Sequence, residues 1–365
     1  MNVWSIEPHD TLVLRDGREL EGTSTPIRSM ELPWPSTIAG FARSRGWSPP
    51  TQSADDVARH ANDLLRQVSV RGPWLAVRDQ RGTVVDLAVP APQDCVWHRH
   101  SGGPLERRRL VPRDRAALGE CDLPPALSVL DFGESVSVPA AKPIASPAFW
   151  YWSDVRSWLE QPESIATVED TFGMPPLVHE SRMHVSLHPD SYTAIEGMLF
   201  RTDHVRYRVS AARRASIVFT AEGLDLGSGS AFVGGERRIS TLQRLELPDA
   251  LRFELPPEQT FGGSTRLRVL LLTPAWFSEG AVPAMLHGAK VVAAAVGRPK
   301  VVSGWDFLNK QPKHSRRLAP AGSVYWLELP SGAADHFVQQ HWLRSVCSDE
   351  QDKRDGYGIA VMGVA

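Results

Sequence analysis

The stretch PWPSTIAGFAR (residues 33–43) sets the fold class, because it places a helix between runs of strand-forming residues. Proline cannot continue a strand but suits the first turn of a helix, and Ser36 and Thr37 are residue types that favour a helix start. Apolar residues then recur at helical spacing from Ile38 onward. A second helix is predicted over 55–68, where the apolar residues also share one face.

Strand patterns lie on both sides of these helices. We predict strands over 3–6 and 11–14, followed by an Asp-Gly turn, and three more strands over 70–77, 83–89 and 95–97. A strand, two helices and several further strands are typical of an α+β fold, in which one helical layer covers a mostly antiparallel sheet.

A proline-rich stretch, residues 138–147, predicts a domain boundary or an extended crossover. A short helix capped by Ser153 is predicted to follow it, over 154–160. The sequence therefore predicts two domains, residues 1–137 and residues 183–365, separated by a linker and short helix over 138–182.

The second predicted domain also mixes strands and helices. Its helices are predicted over 278–286 and 333–346. Its strands are predicted over 184–187, 197–200, 205–209, 215–220, 266–272, 291–296, 323–329 and 358–364. The two halves share a strand-helix-strand character, which is compatible with a duplicated ferredoxin-like unit.

Composition excludes several classes of protein. Hydrophobic residues make up 42% of the chain and charged residues 22%, as in soluble globular proteins. No apolar stretch approaches the ~20 residues that span a bilayer, and no signal peptide precedes the first strand, so we expect a cytoplasmic protein without a membrane partner. The three cysteines lie far apart, which argues against a disulfide framework and against a cysteine zinc site.

The charge is balanced overall but segregated along the chain. The net charge is −2, and 34 of the 40 basic residues are arginine. Basic residues with few acids cluster in four windows, residues 99–115, 201–214, 234–238 and 298–317, and the last also carries Trp305 and Phe307. Segregated arginine with interleaved aromatic residues is typical of a groove that follows a single-stranded phosphate backbone. A solvated face, in a chain whose arginine preference comes from a GC-rich genome, is the alternative.

Motifs for hydrolysis or nucleotide binding are lacking in the sequence. There is no H-E-x-x-H, no G-x-S-x-G and no P-loop, and the glycine-rich stretch 227–235 is not followed by Lys-Ser or Lys-Thr. His184 and His188 flank a predicted strand, where a structural role is a simpler interpretation than a metal pair. We therefore expect no metal, no cofactor and no catalytic residue.

Several short motifs together resemble a known family. They are residues 6–18, 35–40, 191–200, 233–238, 304–306, 312–313, 320–325 and the terminal Gly-Tyr-Gly at 356–358. In this order they resemble subunit three of the Cmr complex, the type III-B CRISPR RNA-guided effector, within the RAMP superfamily. The Gly-Gly-Glu-Arg-Arg, Gly-Trp-Asp and Pro-Ala-Gly-Ser-Val-Tyr motifs are the most specific of the set.

The resemblance implies a fold and a role. The fold would be α+β, with two ferredoxin-like, RRM-related domains and long insertions. The role would be a non-catalytic scaffold in antiviral defence that grips the 5′ repeat-derived handle of crRNA, meets target RNA indirectly, and bridges the large palm-domain subunit and the backbone subunit. The residues expected to bind RNA are Arg15, Arg18, Ser36, Arg43, Lys142, Gly234, Gly235, Arg237, Arg238, Trp305, Lys310, Lys313, Arg316 and Arg317.

Two other functions remain open at this point. One is a metal-free endoribonuclease that processes repeat RNA, with His184 or His179 as general base and Arg182 on the phosphate. The other is a protein–protein adaptor whose arginines pair with acidic partners. Trp305 is likewise either a stacking platform for a base or a core residue.

Overall fold

The computed structural model describes residues 2–15, 29–47, 53–99, 103–114, 123–133, 142–257, 260–306 and 311–365. The described residues form a mostly β structure with five helices. These are α1 (Pro35–Arg45), α2 (Ala54–Gln67), α3 (Trp152–Glu160), α4 (Ala334–His341) and α5 (Glu350–Asp355). None of the described helices combines the length and the hydropathy that a membrane crossing requires.

The chain divides into two compact units, each made of three segments. The first unit contains residues 1–85, 176–246 and 301–316, and the second contains residues 86–175, 247–300 and 317–365. The mixture of helices and strands agrees with the predicted α+β fold class, whereas the predicted boundaries at 137/138 and 182/183 divide the chain into contiguous parts and these units are discontinuous. The reason is that strands far apart in sequence pair within one sheet.

The first unit is built on an antiparallel sheet of five strands. They are β1 (Asn2–Pro8), β2 (Ser69–Arg78), β12 (Arg214–Glu222), β13 (Gly229–Val233) and β14 (Arg238–Arg244). Their order across the sheet is β13-β14-β1-β12-β2. Helix α1 packs against β2, and Phe41 meets Phe219 edge to face, with ring centroids 6.2 Å apart.

A long two-stranded hairpin also belongs to the first unit. It pairs β10 (Val178–Leu187) with β11 (Ala194–Arg206) in antiparallel register. The sequence predicts β11 as two separate strands, because Gly197 and Asp203 weaken the strand pattern. Side chains of the hairpin alternate between two faces, with His184 opposite Phe200 and Val185 opposite Leu199.

The second unit contains a six-stranded antiparallel sheet. Its strands are β15 (Arg266–Leu271), β16 (Met285–Leu286), β17 (Ala289–Ala295), β22 (Val324–Glu328), β23 (Arg344–Ser345) and β24 (Ile359–Val364). The order is β16-β17-β22-β15-β24-β23, and α3 and α4 both pack near β24. Large buried side chains fill the core, among them Trp150, Trp158 and Trp326.

Smaller groups of strands complete the described structure. β3 (Val84–Pro90), most of which lies in the second unit, pairs with β8 (Phe149–Tyr151). Further pairs or triplets are formed by β4 (Cys95–Arg99), β5 (Leu105–Arg109) and β9 (Ile165–Val168), by β6 (Val111–Arg113) and β7 (Val129–Asp131), by β18 (Lys300–Val302) and β21 (Arg316–Leu318), and by β19 (Trp305–Asp306) and β20 (Gln311–Pro312).

Three predicted helix features are wrong. The described residues 278–286 hold no helix, since Pro283 and the left-handed Gly280, with φ of 101°, interrupt the pattern. Helix α4 ends at His341 because the chain then turns, with Leu343 at φ 52°. Helix α3 begins at Trp152, and the Ser153 hydroxyl donates to Asp86 instead of capping the helix.

Candidate nucleic-acid interface

The Gly-Arg loop, residues 234–238, connects β13 to β14 and lies directly on the segment 11–15. The amide of Gly235 donates to the carbonyl of Val13 over 2.8 Å. Gly234 has φ of 75°, and a Cβ on it would lie 2.8 Å from the Val13 oxygen. The double glycine therefore allows the loop to approach the segment 11–15 closely, and an RNA contact at Gly234 and Gly235 stays a prediction.

Arg237 is the exposed arginine of this loop. Its guanidinium carbon lies 5.0 Å from the centroid of the Phe232 ring, which is 55% exposed. Arg15 is also exposed and follows the segment on which the loop rests. Neither arginine has an acidic side chain within 4.0 Å among the described residues. Together they offer two positive charges and one aromatic face to solvent, which suits a nucleic-acid strand.

Arg238 has a different role from its neighbour. Its guanidinium donates to Glu236 and, over 3.4 Å, to Asp10, and its side chain is 24% exposed. This pairing ties the Gly-Arg loop to the end of β1. The structure therefore supports Arg238 as a brace for the loop, in place of the phosphate contact expected from the sequence.

The polar face of the β10–β11 hairpin packs beside this brace. Arg182 pairs with Glu180 over 3.2 Å and with Asp10 over 3.6 Å, and Arg206 donates to Glu180. Arg206 lowers the pKa of Glu180, and the Thr11 amide, more than any arginine, lowers the pKa of Asp10. Charges on this face are thus matched within the chain.

Two histidines lie on the same face. The Nε2 atoms of His184 and His204 are 2.8 and 2.9 Å from the Thr202 hydroxyl, and Nδ1 of His204 is 3.1 Å from the Thr11 hydroxyl. His204 is fully buried, and burial lowers its pKa, with a smaller contribution from Arg182.

This geometry bears on the endoribonuclease alternative. In that alternative His184 is the base and Arg182 holds the phosphate, but Arg182 is already paired with two carboxylates. His179 lies five residues earlier on the same strand, so the register places it on the opposite face of the hairpin. The described residues do not bring a histidine and an unpaired cation together here.

A cavity of about 340 Å³ lies in the first unit beside the hairpin base. It is lined by the end of β1, by the turn between β11 and β12, and by Gln80. Arg206, Arg208 and Arg214 line it, and Arg214 lies 3.7 Å from Glu7. Part of the window 201–214 thus lines a concave surface, and none of the residues predicted to bind RNA lies on it.

The window 298–317 keeps its basic character in the structure. Arg298, Lys300, Lys313 and Arg317 are exposed, and no described acid pairs with them; Arg316 is half-buried. The backbone of Lys313 is fixed by a hydrogen bond of 2.7 Å to the carbonyl of Gly304. Lys310 and the Trp305 side chain lie outside the described part of the chain.

In the window 99–115, the three consecutive arginines of β5 are largely enclosed by the chain. Arg108 and Arg109 of β5 are buried, at 6% and 9% exposure. Arg107 extends over the rings of Trp150, Trp158 and Phe172, with its guanidinium carbon 5.3–5.6 Å from the centroids. Burial first, and then Arg268, lower the pKa of Arg109 to about 10. Aromatic residues far away in the sequence cover part of this run of arginines. The local sequence pattern therefore could not indicate that the run is enclosed.

The remaining predicted residues fall into three groups. Arg43 is 8% exposed and donates to the carbonyl of Val68 over 3.0 Å, so it links α1 to the residue that follows α2. Ser36 is half-buried in the first turn of α1, and Lys142 is exposed. Arg18 lies outside the described residues, as does the predicted Asp-Gly turn.

Comparisons with known proteins agree with this architecture. A family model described as CRISPR-associated protein (Cas_Cmr3) matches residues 4–365. No curated protein matches. A chain in a cryo-EM structure of the type III-B Cmr-beta bound to cognate target RNA and AMPPnP is similar with a TM-score of 0.51 and 14% identity, over 97% of this chain and 94% of that chain. A second, with cognate target RNA, gives a TM-score of 0.49 and 14% identity over 98% and 96%.

The match to the family model covers nearly the whole chain, so it includes both units and the Gly-Arg loop. The resemblance seen in the sequence motifs is therefore confirmed. The chain belongs to the Cas_Cmr3 family of CRISPR-associated proteins.

Proposed function

We propose that this protein is a non-catalytic RNA-binding scaffold of a type III-B CRISPR effector, and that it grips the 5′ handle of crRNA. The observation that carries the proposal is the exposed Arg237 above the exposed Phe232 ring, with the exposed Arg15 at the end of the segment on which the loop rests. The described residues supply no acidic partner for either arginine, whereas most neighbouring charges are matched. A single strand with splayed bases is bound by this combination of phosphate contacts and stacking.

The strand orders support a ferredoxin-like origin for both units. Numbering the four main strands of each sheet along the chain, β14-β1-β12-β2 and β24-β15-β22-β17 both read 4-1-3-2, with antiparallel neighbours. This is the order of the β-α-β-β-α-β fold. Helices connect strands 1 and 2 in the first unit, and strands 3 and 4 in the second.

The scaffold role includes protein neighbours, which in this proposal are the palm-domain subunit and the backbone subunit in the cytoplasm. The outer face of the β10–β11 hairpin supports it. Met183, Val185 and Leu199 on that face are 60%, 44% and 57% exposed. Apolar residues grouped on one exposed face are typical of a protein–protein contact.

The experiment incubates the purified full chain with labelled repeat RNA and follows retention and cleavage on gels. We expect retention without cleavage. Arg237→Ala should weaken retention by about fivefold or more, because it removes a phosphate contact and the cation above Phe232. Arg66→Ala, which changes an exposed arginine at the end of α2, is the matched control and should bind like the wild type.

Three outcomes would contradict the proposal. Cleavage of the RNA by the purified chain would favour the endoribonuclease. Absence of binding both by the chain and by the assembled complex would favour a pure adaptor. Equal binding by Arg237→Ala and the wild type would remove the Gly-Arg loop from the interface.

A further inference from the structure

His184, His204 and Glu236 bring three potential metal ligands together from two strands and a loop. Their ligand atoms all lie within 4.8 Å of one another. Ligands bound tetrahedrally at 2.0–2.1 Å are about 3.4 Å apart, so small side-chain movements would close the set around an ion. Two imidazoles and one carboxylate are a donor set that zinc and similar divalent metals use.

The hydrogen bonds around His204 favour ligation through one particular nitrogen. Nδ1 is engaged by the Thr11 hydroxyl, so Nε2 is left facing the shared position at Thr202, which Nε2 of His184 also faces. A second hydrogen bond of this kind is what holds a ligating histidine in place in known metal sites.

Glu236 can bind a metal ion while it keeps its ion pair with Arg238. Oε2 accepts from Arg238, while the described residues supply no partner for Oε1. The residue has φ of 59°, a left-handed conformation that is uncommon outside glycine, and this backbone places its carboxylate beside the histidines. Arg182 and Arg206 are paired with Asp10 and Glu180, so they do not add an unmatched positive charge.

We propose that His184, His204 and Glu236 bind one divalent transition-metal ion, with the Thr202 hydroxyl or a water in the fourth position. The ion would clamp the β10–β11 hairpin to the Gly-Arg loop. This structural site is independent of the proposed RNA-binding function, and it revises the expectation from the sequence that the chain binds no metal.

The test uses the full chain, stripped with EDTA and then titrated with Zn²⁺ by calorimetry. We expect one Zn²⁺ per chain and a higher melting temperature in its presence. Co²⁺ in the same site should give the visible absorption of a four-coordinate ion. Glu236→Gln and His184→Asn should each weaken Zn²⁺ binding at least tenfold and abolish the Co²⁺ spectrum.

His188→Ala is the matched control, because His188 is an exposed histidine at the end of the same hairpin and outside the cluster. It should bind Zn²⁺ like the wild type. The variants change the half-exposed His184 and the loop residue Glu236, because His204 is fully buried and its replacement could disturb folding. Circular dichroism verifies that both variants fold. Failure of the wild type to bind, or equal binding by the wild type and both ligand variants, would overturn the proposal.

Discussion

Asp94 and Arg268 form an ion pair in the interior of the second unit, with exposures of 0% and 1%. Asp94 also accepts from the Trp158 indole over 3.0 Å, and Arg268 donates to the carbonyls of Val364 and Trp158 over 2.6 Å each. Every polar atom of the pair is thus used to join the loop after β3, helix α3 and strands β15 and β24. Other arrangements of these elements would separate the two side chains. Separation is unfavourable because it leaves a buried charge without its partner.

We predict that Arg268→Ala destabilises the protein by about 3–5 kcal/mol, because the buried Asp94 would lose the guanidinium that donates to it. Chemical unfolding followed by tryptophan fluorescence measures the loss. Arg252→Ala is the control: Arg252 is 60% exposed and its one acidic partner among the described residues is the exposed Asp249, so its loss should change stability by less than about 0.5 kcal/mol. Similar stabilities for the two variants would contradict this role of the buried pair.

The β10–β11 hairpin places its paired charges and two histidines on one face and its exposed apolar residues on the other, as the period of two along each strand requires. The polar face carries the histidines and paired charges that rest on the Gly-Arg loop, and the other face exposes Met183 and Leu199. The sequence predicts the strands but not this partition, because the partners of the polar face come from β1 and β14. Helices α1 and α2 were predictable, since proline placement and periodicity are local signals.

We predict that Met183→Ser impairs assembly with the neighbouring subunits while the chain stays folded, because a side chain 60% exposed contributes little to the core. Co-purification of tagged subunits measures assembly, and we expect at least a threefold lower yield of complex. Met285→Ser is a matched control, since Met285 is 50% exposed on β16, outside the hairpin. An equal yield from the two variants would show that the apolar face is not an interface.

Across the whole molecule, some arginines are enclosed in the interior and others are exposed at the surface. The sequence does not distinguish the two. The 99–115 window resembles the 298–317 window in composition, yet Arg107, Arg108 and Arg109 are covered by aromatic rings or other chain segments, whereas Lys313 and Arg317 remain exposed. The same limit applies to the units themselves, because β12 joins β1 and β2 across more than one hundred residues of intervening chain. Family motifs predicted the overall architecture, but only the pairing of distant strands assigns each charge to the interior or the surface.

The net charge of −2 means that long-range attraction to RNA cannot come from the molecule as a whole. It has to come from exposed basic residues for which the described part of the chain supplies no acidic partner, such as Arg15, Arg237 and Lys313. If six such residues contact phosphates, the logarithm of the association constant should fall with the logarithm of salt concentration with a slope of about −4, since each contact on a single strand contributes roughly −0.7. Filter binding of a handle RNA at increasing salt measures this slope.

Arg237→Ala should make the slope shallower by about 0.7, whereas Arg66→Ala should leave it unchanged. A slope near zero would mean that the exposed arginines do not meet phosphates, and the RNA interface would then have to be sought elsewhere on the chain.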